Sequence, residues 1–202
     1  MPVPVVLATR NAGKVAELRR ILAAADVEVT LLSADDVDLP DVEETGATFA
    51  ENALLKARAA TAATGMACLS DDSGLEVDAL GGEPGVRSAR YAGTHGDDAA
   101  NLQRVLDLLD GTDDRRARFV CVAAFVTPDG REQTATGTVE GNLTHVPRGT
   151  NGFGYDPIFM PTGSPQTTAE MPAADKDAIS HRGQAFRAIV PAIAGYVTSR
   201  RS

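Results

Sequence analysis

The chain has 202 residues, 43% of them hydrophobic and 23% charged, with 19 basic against 28 acidic side chains and a net charge of −9. That length suits one domain able to bury a core, and the hydrophobic share excludes a disordered chain. The negative balance argues against non-specific nucleic-acid binding, so a phosphate-bearing ligand has to meet a local basic cluster.

VPVVLA (Val3 to Ala8) predicts a strand, followed by the loop TRNAGK and a helical period at Val15, Leu18, Ile21, Leu22 and Ala25. VEVTLL from Val27 predicts a second strand, and residues 33–47 read as acidic and irregular. Thr48 and Glu51 have capping-box spacing, which starts a helix that Gly65 stops. ACLS (Ala67 to Ser70) predicts a short strand ending at the loop DDSGL, and the Gly-rich residues 81–96 read as loop. Asp97 and Asp98 open a helix with Leu102, Val105, Leu106 and Leu109 on one face, ended by Gly111.

Arg118 to Thr127 predicts a strand, PDG a turn, and the alternating stretch to Glu140 its partner. Asn142 to Val146 and Pro157 to Met160 predict further strands. The last helix is expected from about Ser180 to Tyr196, kinked at Pro191, whose ring clashes with the preceding turn. This order predicts a mixed α/β sheet in one domain of two lobes with a cleft between them. The longest apolar run, FVCVAAFV from Phe119, is strand-sized, so no membrane partner is expected. MPVPVVLATR lacks the form of a signal peptide. Cys68 and Cys121 sit in apolar runs and read as buried free thiols, so a reducing, cytoplasmic location is expected.

Six segments carry polar chemistry. TRNAGK (Thr9 to Lys14) joins a strand to a helix, where outward N–H groups suit a phosphate. Ala8 and Val15 exclude a Walker A loop, and taken alone the segment is an ordinary βα turn. EETG (Glu43 to Gly46) and DDSGL (Asp71 to Leu75) place like charges side by side, which is cheap only in water or around a cation. Mg²⁺ typically uses one or two carboxylates plus substrate phosphates; a solvated acidic loop is the simpler reading of EETG alone, whereas DDSGL follows directly on an apolar strand end, where α/β sheets place ligand sites. Asn52 and Lys56 share a helix face. FGYDPIF (Phe153 to Phe159) concentrates aromatics, and core packing and purine stacking explain it comparably. Ser180, His181 and Arg182 open the last helix, with Ser180 as a simple N-cap and the other two as donors, Lys176 lying upstream.

In chain order, ATRNAGKVAEL, EETGATFAENALLKA, DDSGLEVDALGG, PGVRSARYAG, GTNGFGYDPIF and ISHRGQA resemble the inosine triphosphate pyrophosphatase family, the XTP/dITP diphosphatases. The resemblance implies an elongated, two-lobed α/β fold with a long central mixed sheet flanked by helices and an active-site cleft between the lobes, usually as a homodimer. It implies Mg²⁺-dependent hydrolysis of nonstandard purine triphosphates (dITP, ITP, XTP) to monophosphate and pyrophosphate, which removes them from the nucleotide pool. By the same resemblance Thr9, Arg10, Asn11, Ala12, Gly13 and Lys14 hold phosphates, with Lys56 adding charge. Glu44 and Asp72 bind the metal, Asp72 is the proton acceptor, and Ser73 touches substrate. Phe153, Gly154, Tyr155, Asp156, Lys176, His181 and Arg182 form the base pocket. Arg10 departs from the Gly often found there, and Pro191 departs in the last helix. A carboxylate on Mg²⁺ is a poor base, so either the metal does most of the activation or Asp71 and Asp72 divide the roles. A non-hydrolysing nucleotide sensor and a phosphohydrolase acting on monophosphates or pyrimidine triphosphates are the alternatives.

Only Lys14, Lys56 and Lys176 are lysines; the other 16 basic residues are arginines. Each lysine falls inside a motif, where a compact ammonium suits a phosphate cluster or a crowded polar pocket.

Overall fold

The computed structural model describes residues 2–201. Its strands are β1 (Val3–Leu7), β2 (Val29–Ser33), β3 (Ala67–Val77), β4 (Arg116–Val126), β5 (Glu132–Leu143) and β6 (Phe159–Pro161). Its helices are α1 (Ala12–Ala24), α2 (Phe49–Thr64), α3 (Asp98–Leu108), α4 (Ala173–Ile179) and α5 (His181–Arg201). The six strands form one sheet in the order β2-β1-β3-β4-β5-β6. The sheet is mixed, since β1 pairs in parallel with β2 and β3 while β5 and β6 are antiparallel.

Two compact units divide the chain. The first comprises the residues up to Asp72, Cys121–Gly137 and those from Arg182 onward. Here the strand pleat sorts side chains by parity. Val5, Leu7, Ala67 and Leu69 bury against Leu18 and Leu22 of α1 and Phe186, Ile189 and Ile193 of α5. Val6 and Cys68 bury with Leu39 and Ala60, the latter from α2. Helices thus cover both sides of β1 and β3, each fully buried aliphatic or aromatic side chain contributing roughly 2 kcal/mol. The second unit comprises Ser73–Val120 and Thr138–His181. Its core gathers Leu75 and Val77 of β3, Leu102 and Val105 of α3, Leu143 of β5, and Ile158 and Phe159.

Most expected elements are present, and four boundaries need correction. DDSGL is not a loop, because β3 continues through it to Val77. Asn142 to Val146 is not a separate strand: β5 runs on to Leu143, whose N–H donates to the Arg115 carbonyl at 2.8 Å, and the chain then leaves the ladder before Pro147. β6 begins at Phe159 rather than Pro157. Lys176 lies on the short helix α4, which no apolar period announces, and α5 is one helix through Pro191 to Arg201. The segment read as Gly-rich loop also contains a 3-10 turn at Gly85–Arg90. No helix among the described residues is long and apolar enough to cross a membrane.

Candidate active site

In the first unit the parallel register sets Leu7 beside Leu69, and the Ala8 N–H donates to the Leu69 carbonyl at 2.8 Å. The loop after β1 and the Asp71–Asp72 pair are therefore delivered to the same end of adjacent strands, the end where α/β sheets place ligands. Within that loop Thr9 Oγ1 accepts from the Asn11 N–H at 3.1 Å. Asn11 Oδ1 in turn caps α1, accepting from Gly13 at 2.9 Å and Lys14 at 3.2 Å. Those two amides are engaged inside the loop. Arg10 turns away to bind Asp35 at 3.1 Å, Asp41 and the Leu39 carbonyl at 2.6 Å. It ties down part of the acidic stretch that follows β2.

Lys14 reaches across to Asp71, with Nζ 2.9 and 2.8 Å from the two carboxylate oxygens. Arg182 Nε lies 3.3 Å from Asp71 Oδ2, and the Cys121 thiol 3.9 Å. Asp71 is buried. Burial works to raise its pKa, yet the charges of Lys14 and then Arg182 outweigh it and hold the carboxyl far below the usual carboxylate range. Cys121 moves the other way: burial, then the neighbouring Asp71 charge, pushes its thiol well up. Both cysteines are free and buried, as expected.

Asp72 uses different partners. Its Oδ2 accepts from Asn52 Nδ2 at 3.0 Å, and its Oδ1 lies 3.8 Å from Lys56 Nζ. Lys56 Nζ also donates to Glu44 Oε1 at 2.6 Å. Burial works to lower the Lys56 pKa, but Asp72 and then Glu44 raise it further, so the ammonium stays charged. Asn52 is fully buried and bifunctional, its Oδ1 accepting from the Gly46 N–H at 2.7 Å. One residue thus fixes EETG and Asp72 together. The helix that carries Asn52 and Lys56 starts at the expected box: Thr48 Oγ1 accepts from the Glu51 N–H at 3.1 Å, and the Glu51 carboxylate accepts from the Thr48 N–H at 3.2 Å.

A divalent cation can be tested against these donors. Glu44 and Asp72 converge on one ammonium, so their oxygens already face a common positive centre. Among the described residues no three His, Cys, Asp or Glu side chains form a complete cage. Mg²⁺ takes oxygen ligands, needs only one or two carboxylates and completes its shell with water and phosphate. Glu44 and Asp72 fit it.

In the second unit Ser73 follows Asp72 on β3 and is half-buried. The FGYD segment separates into two kinds of aromatic. Phe153 is 59% exposed, with Lys176 Nζ 5.1 Å from its ring centroid. Tyr155 is buried, its O–H donating to the Ser88 carbonyl at 2.8 Å. Tyr155 and Phe159 belong to the core, whereas the Phe153 ring is largely exposed. Gly154 N–H donates to Asp98 Oδ2 at 2.8 Å. Asp156 is buried and its carboxylate organises the segment, accepting from the Phe153 N–H at 2.8 Å, from Thr168 Oγ1 at 2.8 Å and from Lys176 Nζ. A side chain at Gly152 would collide with that carboxylate and with Lys176. The His181 ring stacks on Phe119 at 5.0 Å and 12°.

The sites named from sequence therefore fall into two groups. Thr9 to Lys14, Glu44, Lys56, Asp72 and Arg182 lie in the first unit, while Ser73, Phe153 to Asp156, Lys176 and His181 lie in the second. Arg182 Nε and Lys14 Nζ both meet Asp71. Two contributors were missed as site members. Asn52 was visible only through its four-residue spacing from Lys56, and Asp71 only through adjacency to Asp72.

The chain matches the Ham1 family over residues 5–192. A dITP/XTP pyrophosphatase of Streptomyces avermitilis is 56% identical over 191 residues, 93% of this chain and 96% of that one. A dITP/XTP pyrophosphatase of Cutibacterium acnes is 55% identical over 201 residues, 97% and 98% of the two chains. Among solved structures, a HAM1 protein from Coxiella burnetii has a TM-score of 0.89 at 43% identity, over 96% of this chain and 99% of its own.

Proposed function

This chain belongs to the Ham1 family, and on that premise we propose that it is a dITP/XTP pyrophosphatase, a Mg²⁺-dependent enzyme that hydrolyses dITP, ITP and XTP to monophosphate and pyrophosphate and so removes them from the nucleotide pool. The observation that carries the reading is the set around Asp72: a buried carboxylate held on one oxygen by Asn52 and faced on the other by the ammonium that Glu44 also binds. Curated relatives of the same activity at more than half identity support it.

Glu44 and Asp72 are the residues that would hold the metal, which when bound offsets triphosphate charge and lowers the pKa of a water. The reaction breaks one phosphoanhydride bond, α to β, and forms one P–O bond to the water oxygen. Asp72 accepts the water proton. Lys14 and Lys56 stabilise charge on the departing pyrophosphate, each already aimed by a carboxylate partner so that little reorganisation is needed. Phe153 supplies the stacking face for the purine, with Lys176 Nζ 5.1 Å from its ring centroid and His181 as a further member of the base pocket. A donor such as Arg182 donates to the 6-keto oxygen of inosine, whereas the 6-amino group of adenosine offers it no acceptor and is left unpaired. The protein acts as a homodimer in the cytoplasm.

Asp72→Asn tests the reading. Wild type is expected to convert dITP to dIMP and pyrophosphate. The variant keeps shape and nucleotide binding but loses turnover by about a thousandfold, as loss of a proton acceptor requires. Turnover within about tenfold of wild type, with binding intact, contradicts the role of Asp72. Nucleotide binding without pyrophosphate release by the wild type favours the sensor alternative.

A further inference from the structure

The segment Gly152–Asp156 in the second unit is held from two directions. On its own side the Asp156 carboxylate accepts from the Phe153 N–H at 2.8 Å. From α3 the Asp98 carboxylate accepts from the Gly154 N–H, also at 2.8 Å. The two peptides that flank Phe153 are therefore each held by a carboxylate, the Gly152–Phe153 peptide by Asp156 and the Phe153–Gly154 peptide by Asp98. Beyond them, Tyr155 is anchored in the core through its O–H.

Asp98 is not required to start its own helix. Asp97 is the cap, its Oδ1 accepting from the Ala100 N–H at 3.0 Å. Of two adjacent acids, one serves α3 and the other faces the loop. Gly154 has φ +60°, and a glycine has more backbone freedom than any other residue, so this peptide depends on an external anchor for a single orientation. Phe153, mostly exposed, takes its direction from that backbone more than from packing. A charged acceptor makes the stronger kind of hydrogen bond to a backbone amide.

We propose that Asp98 is a positioning residue for purine recognition: by holding the Gly154 N–H it fixes the peptide that aims the Phe153 ring, and so sets affinity for the nucleotide without touching it. The proposal rests on the reading of this chain as a purine triphosphate pyrophosphatase.

The test compares wild type, Asp98→Ala and Asp98→Asn, the last keeping an acceptor oxygen without the charge. For dITP, Asp98→Ala is expected to raise KM about fivefold with kcat little changed, and Asp98→Asn to return KM close to wild type. Amide hydrogen exchange over residues 151–157 should quicken in the alanine variant and not in the asparagine variant. An unchanged KM in Asp98→Ala overturns the proposal. So does an asparagine variant that behaves like alanine, because negative charge at the helix start would then be the cause. A wild-type protein that neither binds nor cleaves dITP overturns the functional reading and takes this proposal with it, and that outcome is seen before any variant is made.

Discussion

Asp71 and Asp72 are neighbours in the chain but serve different partners, because successive side chains of a strand leave opposite faces. Asp71 meets Lys14 and Arg182; Asp72 meets Asn52 and Lys56. Asp71 is thereby the counter-ion of two cations, Lys14 and Arg182, while Asp72 keeps a separate set of partners. Asn52 is the side chain on which this arrangement turns. Asn52→Ala strands the Gly46 N–H and removes the donor to Asp72, so it should cost about 2 kcal/mol, lowering Tm by about 6 °C for a chain of this size. Thermal unfolding followed by circular dichroism checks this, and an unchanged Tm contradicts it. The aromatic pair shows what a residue pattern leaves open. Phe153 and Tyr155 are alike in composition, and only the packing of Tyr155 against the second core separates the exposed ring from the buried one.

At the scale of elements, local signals were read most faithfully where they act locally. Thr48, Glu51 and Gly65 satisfy the ends of α2 within a turn of themselves, so that helix was legible to the residue. Thr48→Ala should cost about 1 kcal/mol and lower Tm by about 3 °C, with loss of activity only through stability; a variant with wild-type Tm contradicts the capping role. β3 was legible only as far as Ser70. Asp, Ser and Gly are poor strand formers, and nothing local keeps Asp-Asp-Ser-Gly extended. The strand persists because buried cations compensate its carboxylates and because Leu75 and Val77 continue into a second core. Both causes come from residues far away in sequence. α4 was missed for a related reason: seven residues make too few turns to show a period. α5 extends beyond its expected end and through Pro191, its inner face held by Phe186, Ile189, Ile193 and Val197 in the first core. Pro191 lies inside the helix, as the sequence placed it.

For the whole molecule the three lysines and the net charge of −9 belong together. Lys14, Lys56 and Lys176 have side chains only 20%, 17% and 21% exposed, and each pairs with a carboxylate of another motif. Arg10, Arg58, Arg87, Arg116 and Arg131 pair with acids at the surface, where such bridges contribute little. Arginine is the surface cation of this chain, and lysine is confined to the motifs. The expected lysines are therefore not bare charges awaiting phosphate; each is already aimed by an acid. The division into units cuts through two motifs, between Asp72 and Ser73 and between His181 and Arg182.

The central claim is that this chain releases pyrophosphate, with Mg²⁺, from purine triphosphates bearing a 6-keto group. The direct measurement is kcat/KM for dITP, XTP, dATP and dGTP with product identification, repeated after chelation of the metal. The account predicts pyrophosphate and monophosphate in equal amounts, dITP and XTP preferred over dATP by at least about a hundredfold, and loss of turnover in chelator that Mg²⁺ restores. Release of orthophosphate, equal turnover of dATP and dITP, or full activity without the metal would contradict it.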